Sequence, residues 1–254
     1  MTLPEKRSPI DELRLRYEEL AELAGSLAHE IKNPISVIHM NIDLLGEDLE
    51  ELNAPETRRA MERVQIVREQ CERMQGLLRD FMKYTKLRDI DLVSGSLNDQ
   101  VEAVLRAYSA EASQRGIEIK RYLDGDLPYI ALHSDSLQAA LMNLVKNAME
   151  ATDRGGQILA RTYVTKSGVA MDLIDTGRGV DNNTILHMFE PFYTTKEGGS
   201  GLGLPTARKT IEAHGGRIGV QSEVGQGTKF TLEFPALRRI VSGLNETEQD
   251  QPAT

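Results

Sequence analysis

The stretch Ile10–Leu45, IDELRLRYEELAELAGSLAHEIKNPISVIHMNIDLL, decides how the first third of this chain folds. Its apolar positions run Ile10, Leu13, Tyr17, Leu20, Ala24, Leu27, Ile31, Pro34, Ile38 and Leu45, with Asn41 as the polar interruption. The spacing alternates between three and four residues, which is the heptad seam of a helix that packs along another helix. Gly46 and then Asn53-Ala54-Pro55 punctuate the run, and a second seam follows at Ala60, Val64, Val67, Cys71, Met74, Leu78 and Phe81. Two such helices joined by a turn make an antiparallel hairpin. Long one-sided seams bury too little in one hairpin, so two copies are expected to pair as a homodimer with a four-helix bundle.

Beyond the hairpin the periodicity changes. Asp89–Ser96 reads as a linker, and the residues after it alternate short strand candidates with helices. Helices are expected over Leu97–Gln114, Ser134–Thr152 and Thr206–His214, and strands over Ile117–Tyr122, Tyr129–Leu132, Gln157–Thr165 and Val169–Ile174, with two final strands. This is an α+β domain with a mixed sheet covered by helices. The expected organisation is a helical extension over 1–19, the all-α hairpin domain over 20–88, the linker over 89–96, the α+β domain over 97–236 and a polar, disordered tail over 237–254.

The totals exclude several functions. With 39 acidic against 30 basic residues and a formal charge of -9, a surface that tracks nucleic-acid phosphates is disfavoured. A single cysteine, Cys71, cannot form an internal disulfide and suits a reducing compartment, the cytoplasm. No run of about 18 apolar residues occurs, so membrane insertion is not expected.

His29 lies two residues after Leu27 and two before Ile31, so at about 100° per residue it projects almost opposite the seam, into water. Glu30 lies beside it, and Asn33 stands one turn later on the same face. A neutral imidazole is nucleophilic, and an adjacent carboxylate can fix its tautomer by binding one ring nitrogen. Spacing alone also fits a solvated surface pair. Pro34, one turn on, removes a backbone donor and would kink the helix beside the pair.

Further along, Asn143 and Asn147 stand one turn apart on a helix, where two amides can share a metal ion and phosphate oxygens or merely cap and hydrogen-bond. Asp175-Thr176-Gly177-Arg178-Gly179 follows an apolar strand. A carboxylate there can accept an exocyclic amine, while glycines let backbone approach a ligand. Phe189-Glu190-Pro191-Phe192 precedes Thr194-Thr195-Lys196-Glu197-Gly198-Gly199-Ser200-Gly201-Leu202-Gly203-Leu204, whose glycines and following helix start suit a lid over phosphates.

Taken in order, Ser26 to Pro34, Asn143 to Ala151, Asp175 to Gly179, Phe189 to Phe192 and Gly199 to Leu204 resemble the H, N, G1, F and G2 boxes of two-component sensor histidine kinases, over roughly residues 20 to 235. The wording is most similar to that of the nitrogen-regulatory sensor kinases. The resemblance implies a HisKA-type dimeric hairpin followed by a GHKL (Bergerat-type) ATP-binding α/β sandwich, with ATP and Mg²⁺ as cofactors. It implies that His29 accepts the phosphoryl group with Glu30 assisting proton removal, and that Asn33 orients water in dephosphorylating a partner. It further implies that Asn147 holds magnesium with Asn143 near the phosphates, that Asp175 contacts adenine in a pocket shaped by Gly177 and Gly179, and that Gly199, Gly201 and Gly203, with Leu202 and Leu204, form the lid. Thr228 resembles a late threonine near the adenine. Lys196 and Lys146 are the candidate positive charges for the phosphates. The implied partners are a response-regulator receiver domain, a second copy of the chain, and a separate sensor or input protein. His39, His133, His187 and His214 are expected at the surface or in structural roles. A docking or phosphatase scaffold and another GHKL ATPase are the alternative readings.

Overall fold

The computed structural model describes residues 31–49, 57–86, 90–196 and 199–237. His29, Glu30, the 1–19 extension, the turn Asn53-Ala54-Pro55 and the 238–254 segment lie outside the described residues.

Helix α1 covers residues 31–49 and α2 covers Arg58–Lys86. They lie side by side: Arg68 Nε is 2.8 Å from Asp43 Oδ1, and His39 stands between Asp43, at 3.0 Å, and Glu72, at 3.8 Å. The side of α1 that meets α2 is the stripe Ile35, His39, Ile42 and Gly46, where Ile35 and Gly46 are buried. The expected seam falls on the neighbouring stripe instead. Ile31, Ile38 and Leu45 remain 49%, 47% and 46% exposed, as do Val67 and Met74 of α2 in part, while Val64 and Cys71 are buried. An apolar stripe left uncovered by its own hairpin is a surface for another helix.

The second domain contains β1 (Val93–Gly95), α3 (Leu97–Arg115), β2 (Glu118–Tyr122), β3 (Ile130–Leu132), α4 (Ser134–Ala151), β4 (Gln157–Val164), β5 (Gly168–Asp175), α5 (Asn182–His187), α6 (Gly203–Ala213), β6 (Arg217–Glu223) and β7 (Gly227–Pro235). Five strands form one sheet in the order β2-β4-β5-β7-β6; β2 and β4 are parallel and the rest antiparallel. β1 and β3 make a small separate pair. Residues 89–96, read from sequence as linker, therefore contain a strand: three residues suffice because β3 supplies the ladder partners Leu132, Ala131 and Ile130.

Local signals fix the helix ends. Ser96 accepts the Asp99 N–H to cap α3, and Gly116, at φ 67°, closes its other end. His133 caps α4 by accepting the Ser136 N–H. His214 is buried at the end of α6: its Nδ1 donates to Thr210 O at 2.7 Å and its Nε2 accepts the His133 N–H at 3.0 Å, tying α6 to the start of α4. The short helix α5 has no counterpart in the sequence reading; at six residues it is too brief to show a period, and Asp181 nucleates it by capping Thr184 N–H.

The core lies between one face of the sheet and helices α3, α4 and α6, with Leu141, Leu144, Met171, Leu173, Ile211, Leu232 and Phe234 inside. On the other face Arg161, Asp172 and Thr231 stand in one cross-strand row. Asp172 is wholly buried there, accepting from Arg161 Nη2 at 2.6 Å and Thr231 Oγ1 at 2.8 Å. Burial opposes its ionisation. The Arg161 and Thr231 hydrogen bonds and the nearby Lys229 outweigh that, and hold the carboxyl below its ordinary range.

Candidate nucleotide site

On β5 the core-facing positions are Met171, Leu173 and then Asp175, because side chains alternate across the sheet. The same alternation that packs two apolar residues therefore buries a carboxylate at the strand end. Sheet register sets Thr228 of β7 opposite it. Asp175 Oδ1 accepts two backbone N–H groups, from Gly177 at 2.9 Å and Thr228 at 3.2 Å. Burial pushes the carboxyl above its ordinary range, and those two hydrogen bonds offset part of the effect. No described residue donates to Oδ2, which leaves an acceptor for a ligand amine.

Asp175 borders a cavity of about 750 Å³, within the usual size of a small-molecule site. Asn143, Lys146, Asn147, Lys196, Gly199, Gly201, Gly203, Leu204, Gly179 and Thr228 border it as well. The fold thus brings most of the sequence candidates together across separations of up to 85 positions between Asn143 and Thr228. Two of the nucleotide-binding candidates do not line it. Leu202 is fully buried in the protein interior at the start of α6, because an apolar side chain preceding a helix packs inward. Gly177 lies beneath, against Ala151, where an added Cβ would come within 2.4 Å of the Ala151 oxygen. Asn33 is exposed on α1 and does not border the cavity.

The glycines differ in what they do. Gly179 has φ 63°, and a Cβ there would lie 2.0 Å from Glu223 O, so the loop after β5 runs tightly beneath the β6–β7 turn. Gly201 has φ 65° and presses on Phe192, whose N–H it accepts at 3.0 Å. Phe192 itself is the one non-glycine at positive φ among the described residues, at 68°. Gly203, the first residue of α6, has room to spare: a Cβ there would meet nothing nearer than Asn143 at 3.8 Å.

At the helix end, Asn143 Nδ2 donates to Gly203 O at 3.3 Å, joining α4 to α6. No side chain caps the α6 N-terminus; Pro205 has no N–H and the Thr206 N–H donates to Leu202 O, so the Gly203 and Leu204 amides are the ones left for an anion. Lys196 Nζ donates to Asn147 Oδ1 at 2.6 Å and to the Glu150 carboxylate. These acceptors are oxygens, the kind that suit magnesium, which binds through few protein oxygens plus phosphates. Among the described residues no group of three His, Cys, Asp or Glu side chains could hold a metal alone. The apolar lining from Val180, Met188, Leu204 and Phe230 fits a flat base.

Sequence reasoning missed four contributors. Glu150 follows Asn147 by three positions, so helical spacing alone could have shown it. Arg178, inside the glycine motif, also borders the cavity. Ser222 accepts the Val180 N–H at 2.9 Å and donates to Gly227 O at 2.8 Å, fixing the loop below Asp175. Asp80 comes from α2, and only docking of the hairpin on the second domain brings it there. That docking is carried by Phe81 against Phe192, with centroids 6.3 Å apart, and by Lys209 of α6, which donates to Tyr84 O at 2.8 Å and lies over the Tyr84 ring.

Two family models match in the order that the fold implies. The His Kinase A (phospho-acceptor) domain matches residues 19–90, and the histidine kinase-, DNA gyrase B- and HSP90-like ATPase matches residues 133–238. The chain belongs to the two-component sensor histidine kinases. This histidine-kinase chain is 31% identical over 216 residues to the sensor histidine kinase ZraS of Escherichia coli (strain K12), covering 85% of the chain and 45% of ZraS. Among solved structures it resembles full-length ShkA in complex with AMPPNP, with a TM-score of 0.66 and 28% identity over 85% of this chain and 46% of ShkA. It also resembles the histidine kinase ThkA in complex with the response regulator protein TrrA, with a TM-score of 0.64 and 25% identity over 93% of this chain and 69% of the other. The chain spans about half or less of the length of the relatives that it matches in sequence. Among the described residues no helix is long and apolar enough to cross a membrane.

Proposed function

We propose that this chain is an ATP-dependent protein histidine kinase that phosphorylates its own His29 and passes the phosphoryl group to an aspartate of a response regulator. One observation carries the reading: Asp80, on the hairpin helix α2, borders the same cavity as Asp175 and Asn147. A nucleotide bound there has the hairpin that bears the histidine at its edge.

In this reading Asp175 Oδ2 accepts the adenine amine, with Thr228 beside it. Asn143, Asn147, Lys146 and the open amides of α6 surround the phosphates, and Lys196 and the lid glycines cover them. Magnesium, when bound with the nucleotide at Asn147, neutralises phosphate charge. The His29 imidazole attacks the γ-phosphorus; the bond from that phosphorus to the β–γ bridging oxygen breaks, and Glu30 takes the ring proton. Asn33 orients water in the reverse task, hydrolysis of the regulator's aspartyl phosphate. The ThkA complex with a response regulator supports that class of partner. The stripe of Ile31, Ile38 and Leu45 supports a second copy of the chain as the other. A single cysteine and such a partner support a cytoplasmic setting.

Incubation with γ-labelled ATP tests the proposal. Acid-labile, base-stable label is expected on the protein and should vanish in His29→Gln. Label that persists in that variant, or free phosphate without labelled protein, refutes it.

A further inference from the structure

The lid lysine is held, and by an unusual pair. Lys196 Nζ donates to Asn147 Oδ1 at 2.6 Å and to Glu150 Oε2. Asn147 and Glu150 sit three residues apart on one face of α4. Lys146, one turn before Glu150, approaches the other carboxylate oxygen at 3.9 Å. An amide oxygen and a carboxylate oxygen that converge on one cation form a set that magnesium can use as well as an ammonium. The two cations cannot share it, because like charges at contact distance repel strongly. The carboxylate would also repel a bare triphosphate unless a cation stands between them.

We infer that Glu150 is a positioning residue that makes nucleotide entry depend on magnesium. Glu150 and Asn147 hold Lys196 against α4. A metal–nucleotide complex takes over the same two oxygens and releases Lys196 to the phosphates. The inference rests on the nucleotide reading above, but the latch itself involves only residues of this chain. Both partners are about one-third exposed, so the contact is weak and reversible, as a lid that must open requires.

Limited digestion with trypsin examines the latch directly, since trypsin must take the Lys196 side chain into its own pocket to cut the bond that follows. With the full chain and no nucleotide, Glu150→Gln should speed this one cut by roughly two- to fivefold, with cuts at other lysines and the melting temperature unchanged. Calorimetry with AMPPNP, with and without Mg²⁺, supplies the second readout. Wild type should bind far better with the metal, and Glu150→Gln should bind metal-free AMPPNP more tightly, shrinking the ratio of the two affinities. An unchanged cut at Lys196, or an unchanged ratio, in a protein that binds AMPPNP overturns the inference alone. A wild-type chain that binds no AMPPNP overturns the nucleotide reading and the role of Glu150 with it.

Discussion

Replacing Asp175 by Asn should move ligand affinity and stability in opposite directions. The Asn oxygen can still accept the Gly177 and Thr228 N–H groups that Oδ1 accepts now. The amide nitrogen then stands where Oδ2 is, and presents a donor to the adenine amine, itself a donor. Losing a hydrogen bond to a charged group costs about 1.5–3 kcal/mol, or roughly 10- to 150-fold in Kd. Stability changes the other way, because burial raises the Asp175 pKa. A carboxyl whose folded value lies above its unfolded one favours folding fully below the unfolded value, about 3.9, and loses that contribution as pH rises through the folded value. At neutral pH the charged form is therefore a burden that Asn removes, so Asp175→Asn should melt at a higher temperature, with the gain shrinking toward acid. The assay pairs calorimetric titration of AMPPNP with thermal unfolding at neutral and mildly acidic pH. A lower melting temperature at neutral pH, or a Kd changed by less than about threefold, would refute the reasoning.

Two further outcomes follow from the packing. Gly201→Ala places a methyl 2.4 Å from the Phe192 carbonyl carbon at a positive φ and should abolish nucleotide binding by displacing the lid base, whereas Gly203→Ala meets nothing closer than 3.8 Å and should bind within about threefold of wild type; titration of AMPPNP separates them. Asp172→Ala removes the buried acceptor of Arg161 and Thr231 and should cost about 1–3 kcal/mol in urea unfolding at neutral pH. Because the Asp172 pKa is held low, its stabilisation is present above the ordinary unfolded value and is lost as pH falls through the depressed one, so the difference from wild type should narrow only in that acid range.

The sequence by itself determined the longer helices and strands and the kinds of groups in the site, while the three-residue β1 and the six-residue α5 were too short to show a period. Heptad spacing specifies helices whatever they touch, and alternation before Asp175 specifies a strand, since both periods are properties of the local backbone. Which stripe faces which partner was not local: the seam through Ile31, Ile38 and Leu45 is exposed, and α2 covers the adjacent stripe through Ile35 and Gly46. Leu202 could not be told from its lid neighbours by composition, yet it alone of Gly201–Leu204 points into the interior. Only the tertiary structure decided that Thr228 faces Asp175, that Lys196 rests on Asn147 and Glu150, and that Asp80 reaches the cavity from another domain. Those contacts join positions 46 to 95 residues apart. Sheet register and domain docking set such distances, and both arise from the sum of many packed side chains, which no single stretch of sequence encodes.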